Sequence, residues 1–212
     1  MCRQLAELKV DAKIVNQNAV DVATLTQRMV SQYFSHHASM YVARDPRAQS
    51  FAPAIEPGQN VPILKIPRRD GNAMQLWFNH YLAEGLKPTA VEDFDKVWLM
   101  GALLVVGDAL GENDYFGHIP EAEIIRHLRN GIAHGNRFSF HRSVIDQGRC
   151  KLKYPANISR YAAQQAMPAH EVDTDLQGTE VLFFWGGPDA VIDCLTALGI
   201  HLWNLGHGIP GP

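Results

Sequence analysis

The side chains that could do chemistry cluster in a short stretch: Arg126, His127, Arg129, Asn130 and His134, followed closely by Arg137. All carry nitrogen donors. A histidine can exchange a proton near neutral pH, and an arginine stays charged while offering a planar fork of donors. At the helical rotation of about 100° per residue, Arg126, His127, Asn130 and His134 share one side, and Arg129 lies on its flank. Asn130 and His134 are four residues apart, which places them one above the other. This side is expected to be rich in donors and free of carboxylates, so it suits an anionic ligand. On residue types alone, a solvated basic face with no ligand is the commoner reading, and it is the order of the residues that argues against it.

The element that must position these groups is a helix beginning at Pro120. Proline suits the first helical position, and Glu121 and Glu123 favour the positive end of the helix. Gly135 offers a left-handed stop just after His134, with the strand-like sequence NRFSFH beyond it. Ile124, Ile125, Leu128 and Ile132 fall on the opposite face and should point to a core. Gly131 costs about 1 kcal/mol in a helix relative to alanine. With Ala133 it should leave the polar side of the last turn low enough for a second helix or a ligand backbone to approach.

Arg129-Asn130-Gly-Ile-Ala-His134 is Arg-Asn-x3-His at the end of an amphipathic helix. It resembles the signature of the HEPN superfamily (higher eukaryotes and prokaryotes nucleotide-binding domains), and the surrounding RHLRNGIAHGNRF looks like bacterial or plasmid-borne, defence-type members. The resemblance covers some 20 residues. It implies an up-and-down helical bundle that dimerises through the motif helices. It also implies a metal-independent endoribonuclease with no cofactor, acting at a composite site, in a toxin–antitoxin or phage-defence setting. Arg129, Asn130 and His134 would be catalytic, while Arg126, His127 and Arg137 would contact phosphate. The partners implied are RNA, a second copy of the chain, and an antitoxin or other regulatory protein. Two rival readings remain: a silent HEPN-like module that binds RNA or nucleotides without turnover, and a protein-interaction subunit.

Composition bounds these readings. The 212 residues, 46% hydrophobic and 19% charged, can bury a real core. The net charge of −3 does not mark a nucleic-acid binder, but charge is unevenly spread. Residues 126–153 hold seven Lys or Arg against Asp146 alone, a local +6 that leaves −9 for the remainder. A basic stretch starting at the candidate residues suits a polyanion. Cys2, Cys150 and Cys194 are odd in number and widely spaced, which reads as free thiols in a reducing compartment. The N-terminus has no apolar signal core, and the apolar run at 97–106 is too short to span a bilayer. The expectation is a cytoplasmic protein without a membrane partner.

Taken in order, the pattern predicts a mainly α protein, a bundle of four or five helices in one domain over 1–212. Residues 10–42 carry a helical stripe of Ile14, Val15, Val22, Leu25, Met29, Val30, Phe34 and Met40. His36 and His37 point different ways and read as surface groups. Residues 44–71 hold Pro46, Pro53, Pro57, Pro62 and Pro67 and read as an irregular excursion, with Arg68-Arg69-Asp70 a solvated turn. A short helix is predicted over 73–83, with Met74, Trp77, Phe78 and Tyr81 in the core. Thr89-Ala-Val-Glu92 is a capping box opening a helix to about Leu110, expected to be the central, most buried one of the bundle. Residues 136–186 read as a small β insertion: a hairpin of 136–141 with 149–154, a brief helix at 158–167, and a strand at 178–185. The last helix, at 187–205, turns Val191, Ile192, Leu195, Leu198 and Leu202 inward.

Overall fold

The computed structural model of the protein describes residues 14–51, 53–118, 120–140, 172, 174–182 and 184–210. It is mainly helical with one small two-stranded antiparallel sheet. In chain order the elements are α1 (Gln17–Ala43), β1 (Ile63–Pro67), β2 (Ala73–Trp77), α2 (Phe78–Gly85), α3 (Pro88–Glu112), α4 (Pro120–Ala133) and α5 (Gly187–Gly206), with 3-10 turns at Pro46–Phe51 and Thr174–Leu176. The chain divides into two compact units, Met1–Val30 with Leu99–Pro212, and Ser31–Trp98.

The first unit holds the motif helix. Its core comes from Ala19, Val22, Ala23 and Val30 of α1, Leu99, Leu103, Val106 and Leu110 of α3, Ile124, Ile125, Leu128 and Ile132 of α4, and Val191, Leu195, Leu198 and Leu202 of α5. The expected inward faces of α4 and α5 are buried as read. The stripe of α1 is not: Val22 and Val30 are buried, but Ile14, Val15 and Phe34 are exposed. The small residues Ala19 and Ala23 take the inner face instead, because they let helices approach closely.

Asn16 caps α1 by accepting a hydrogen bond from the Ala19 amide at 3.1 Å, and its Oδ1 also accepts from the Tyr115 hydroxyl at 3.2 Å. The Gly206 carbonyl at the end of α5 accepts from the Val15 and Asn16 amides at 2.8 and 3.1 Å. A side chain at Gly206 would run into Val20 and the Asn16 carbonyl, so glycine here allows α5 to end against the start of α1. Cys194 is buried in α5, and that burial pushes its thiol well above the ordinary range. Cys2 and Cys150 lie outside the described residues.

The second unit departs from the expectations. Residues 63–67 of the proline-rich stretch form β1, and residues 73–77 pair with it as β2, from Ile63 opposite Trp77 to Pro67 opposite Ala73. The helix expected over 73–83 therefore begins only at Phe78. The turn between the strands is closed by the Arg68 amide on the Asn72 carbonyl at 2.8 Å, with Gly71 at φ 83°. Met74, Trp77 and Tyr81, expected in the core, are about half exposed. A two-stranded ribbon offers little to bury them against.

His36 and His37 stay partly exposed, as expected of surface groups, but both rings are engaged by neighbouring side chains. The His36 ring stacks on Phe94 with centroids 3.4 Å apart, Phe94 stacks on Trp98, and the His37 Nε2 lies 2.8 Å from an Asp95 carboxylate oxygen. Burial lowers the His36 pKa from its ordinary value, aided by the neighbouring His37 and opposed by Asp95. The helix α3 is buried along one face only, since Val97 and Val105 of its apolar middle are exposed. Among the described residues, no helix is long and apolar enough to cross a membrane.

Candidate functional site

The motif helix α4 runs as the sequence predicts, from Pro120 to Ala133, with Glu121 and Glu123 in its first turn. His134 follows the last helical residue, and its amide still donates to the Asn130 carbonyl at 3.1 Å. Gly135 and Asn136 then adopt left-handed backbone at φ 88° and 61°, which ends the helix and reverses the chain. His134 is exposed, and among the described residues its imidazole has no hydrogen-bond partner.

Arg129 is held rather than free. Its Nε and Nη2 both donate to Asp108 Oδ1 of α3, at 2.9 and 2.6 Å, and its Nη1 donates to Asn130 Oδ1 at 3.3 Å. The side chain reaches Asp108 by lying across Gly107. A Cβ at position 107 would stand 2.6 Å from Arg129 Cγ and 2.8 Å from its Cβ. Arg129 and Asn130 are thus brought together, with His134 one turn beyond Asn130. Asp108 is absent from the sequence reading. Its one signal is a small-polar pair, Gly107-Asp108, within the apolar run of α3.

The polar side of the helix does carry a carboxylate, contrary to expectation. Glu123 is buried at 1% exposure and lies one turn before Arg126 and His127. Arg126 Nε donates to Glu123 Oε2 at 2.9 Å, Arg126 Nη2 pairs with Oε1, and His127 Nε2 lies 3.2 Å from Oε1. The His127 ring also packs on Phe140, centroids 5.5 Å apart. Burial acts to raise the Glu123 pKa. The hydrogen bonds from His127 and Arg126 and their charges outweigh it, so the carboxyl is held below its ordinary value. Arg126 and His127, read from the sequence as phosphate contacts, therefore commit Nε and Nη2 of the one and Nε2 of the other to Glu123, with which a phosphate there must compete.

Gly131 also differs from expectation. It is buried, and the space above it is filled by the chain itself. A Cβ there would collide with Val181 and stand 3.0 Å from the Arg137 carbonyl oxygen. The Arg137 amide donates back to the Gly131 carbonyl at 3.0 Å. From this point the chain pairs with residues 178–182: Phe138 donates to the Thr179 carbonyl at 2.9 Å, Gly178 to the Phe138 carbonyl at 2.8 Å, and Val181 to the Asn136 carbonyl at 3.1 Å.

Among the described residues, one isolated bridge, Arg137 with Glu180, is formed there. In place of the strand expected at 178–185, the described residues 178–182 and 184–185 form turns and bends around that bridge, with Val181 and Leu182 buried and Phe184 exposed. The exposed Arg137 donates through Nη1 to the Gly178 carbonyl at 2.7 Å. The hairpin partner at 149–154, the helix at 158–167 and the basic residues from Arg142 to Lys153 lie outside the described residues. Compared with protein-family models, with curated proteins and with solved structures, the chain matches none.

Two expectations follow from this geometry. Gly131→Ala gains about 1 kcal/mol of helix propensity but forces Val181 and a backbone carbonyl to shift, which costs about 1–3 kcal/mol. The net expected is a lower denaturation midpoint in urea; a stabilised variant would contradict the tight contact. Because the folded pKa of Glu123 is depressed, its contribution to stability is present above the unfolded carboxyl pKa of about 4.3 and is lost as pH falls through the folded value. Glu123→Gln should therefore show a shallower loss of stability than wild type below about pH 5, read as melting temperature against pH. Parallel acid limbs would rule out the ion cluster as a source of pH dependence.

Proposed function

We propose that the protein is a HEPN-type, metal-independent endoribonuclease that works as a homodimer, built on an up-and-down helical bundle. The observation carrying this reading is the arrangement at the end of α4. Arg129 is drawn to Asn130 at 3.3 Å, and His134 lies exposed one turn further on. These are the three groups of the Arg-Asn-x3-His motif.

In the proposed reaction the ribose 2′-hydroxyl attacks the adjacent phosphorus in line. A His134 imidazole takes the hydroxyl proton as the new O2′–P bond forms. The P–O5′ bond breaks, and a second imidazole, from the other copy of the motif, returns a proton to the leaving 5′-oxygen. Arg129 holds the phosphate oxygens as their negative charge grows, and Asn130 orients the guanidinium beside it. The products are a 2′,3′-cyclic phosphate and a 5′-hydroxyl. One helix supplies one such Arg and one such His, so acid and base together call for two helices across a two-fold axis. Within this proposal Arg137 is an outlying phosphate contact, and an antitoxin or other regulatory protein is the natural second partner of such a nuclease.

A second reading is a silent HEPN-like module that binds RNA or nucleotides without cleaving them, using the two donors of Arg129 that Asp108 and Asn130 leave over. One experiment separates the two. Purified protein is incubated with structured RNA in EDTA, comparing wild type with His134→Ala. The nuclease reading expects cleavage by wild type and a loss of about 100-fold or more in the variant, the usual scale for removing a general acid–base. Salt-sensitive RNA binding with no cleavage by either protein would transfer the assignment to the silent module. Equal cleavage by both would place the activity elsewhere.

A further inference from the structure

We infer that Asp108 is the positioning residue for Arg129: its carboxylate fixes one edge of the guanidinium so that the remaining donors are presented to a phosphate. The inference rests on the ribonuclease reading for its catalytic consequence, but its structural content stands independently. A guanidinium has five N–H donors. Asp108 Oδ1 takes one from Nε and one from Nη2, and Asn130 Oδ1 takes one from Nη1. One N–H is left on Nη1 and one on Nη2, and these remain for phosphate oxygens.

Two features mark the contact as built. Gly107 is needed for it, since any side chain there would strike the stem of Arg129. The contact also joins two helices across 21 positions of sequence, α3 to α4. Arg129 is about two-thirds covered and Asp108 about half exposed, so the guanidinium is held at the rim of the unit. An arginine left to itself would sample many rotamers in water. Here the contacts to Asp108 and Asn130 restrict that freedom before a ligand arrives, which favours a charge that stabilises a transition state.

Both bonds fall on the same oxygen, Oδ1, and this separates geometry from charge. Asparagine at 108 keeps an oxygen in that place, whereas alanine removes it. The experiment compares wild type with Asp108→Asn, Asp108→Ala and Gly107→Ala, reading RNA cleavage in EDTA and the Arg129 Nε–H resonance by NMR, assigned through its loss in Arg129→Lys. The expected result is a fall in kcat of about 10- to 100-fold for Asp108→Ala, with KM much less affected. Gly107→Ala should reproduce it without altering a charge. Asp108→Asn should restore most of the turnover and the wild-type resonance.

Asp108→Ala that cleaves as well as wild type, or faster, would overturn the inference and make the carboxylate a bystander or a brake. If wild type itself cleaves nothing, the ribonuclease reading fails on its own. The resonance then decides the positioning claim: an Nε–H signal that broadens or moves in Asp108→Ala and recovers in Asp108→Asn supports it. An unchanged signal in Asp108→Ala overturns it.

Discussion

The apolar seam between α4 and α5 governs everything that happens on the motif helix. Ile124, Ile125 and Leu128 are fully buried, and α5, which packs against α4, buries Val191, Leu195 and Leu198. Burying each such side chain contributes about 1.5–3 kcal/mol, so the rotation of α4 about its axis is strongly fixed. Once that face is set, the opposite positions are assigned as well. Gly131 adds a second restraint from the far side. It lets Val181 and the Arg137 backbone press on the last turn, where a larger residue would hold them off.

Within that frame, two carboxylates sort the nitrogen donors into different tasks. Glu123, buried one turn earlier, gathers Arg126 and His127 into an ion cluster capped by Phe140. A buried carboxylate must be paired to remain ionised, so this cluster belongs to the stability of the unit. Asp108, on the rim, and Asn130 take three of the five donors of Arg129 and leave two unclaimed by the described residues. His134 stands outside both pairings. A helix face that looks uniformly basic in sequence is therefore divided into an inner, self-satisfied half and an outer half with donors to spare.

The extent to which this was legible varied with the range of the interactions involved. The start, stop and core face of α4 follow from local signals at Pro120, Gly135 and the Ile–Leu spacing, and these were readable. The Glu123 cluster was also local, at spacings of three and four, and could have been found by counting carboxylates one turn back. Asp108 could not, because its partner lies 21 residues away and the contact depends on how α3 and α4 cross. The hairpin shows the opposite case. Asp70-Gly71 is a turn signal between two apolar runs, and treating the region as a proline-rich excursion concealed it. The spacing of Met74, Trp77, Phe78 and Tyr81 that suggested a helix over 73–83 is split between a strand and a short helix, since pairing of 73–77 with 63–67 overrides the helical period.

The central claim is that the donors left over at the end of α4 serve attack by a ribose 2′-hydroxyl on phosphorus. The most direct measurement is cleavage of an RNA oligonucleotide carrying a single 2′-deoxy nucleotide at the mapped cut site, beside the all-ribo parent. The account predicts that the substitution abolishes cleavage at that site, and that the parent yields a 2′,3′-cyclic phosphate. Cleavage at the deoxy position would contradict it, because the bond would then have been broken without the group that Arg129 and His134 are proposed to assist.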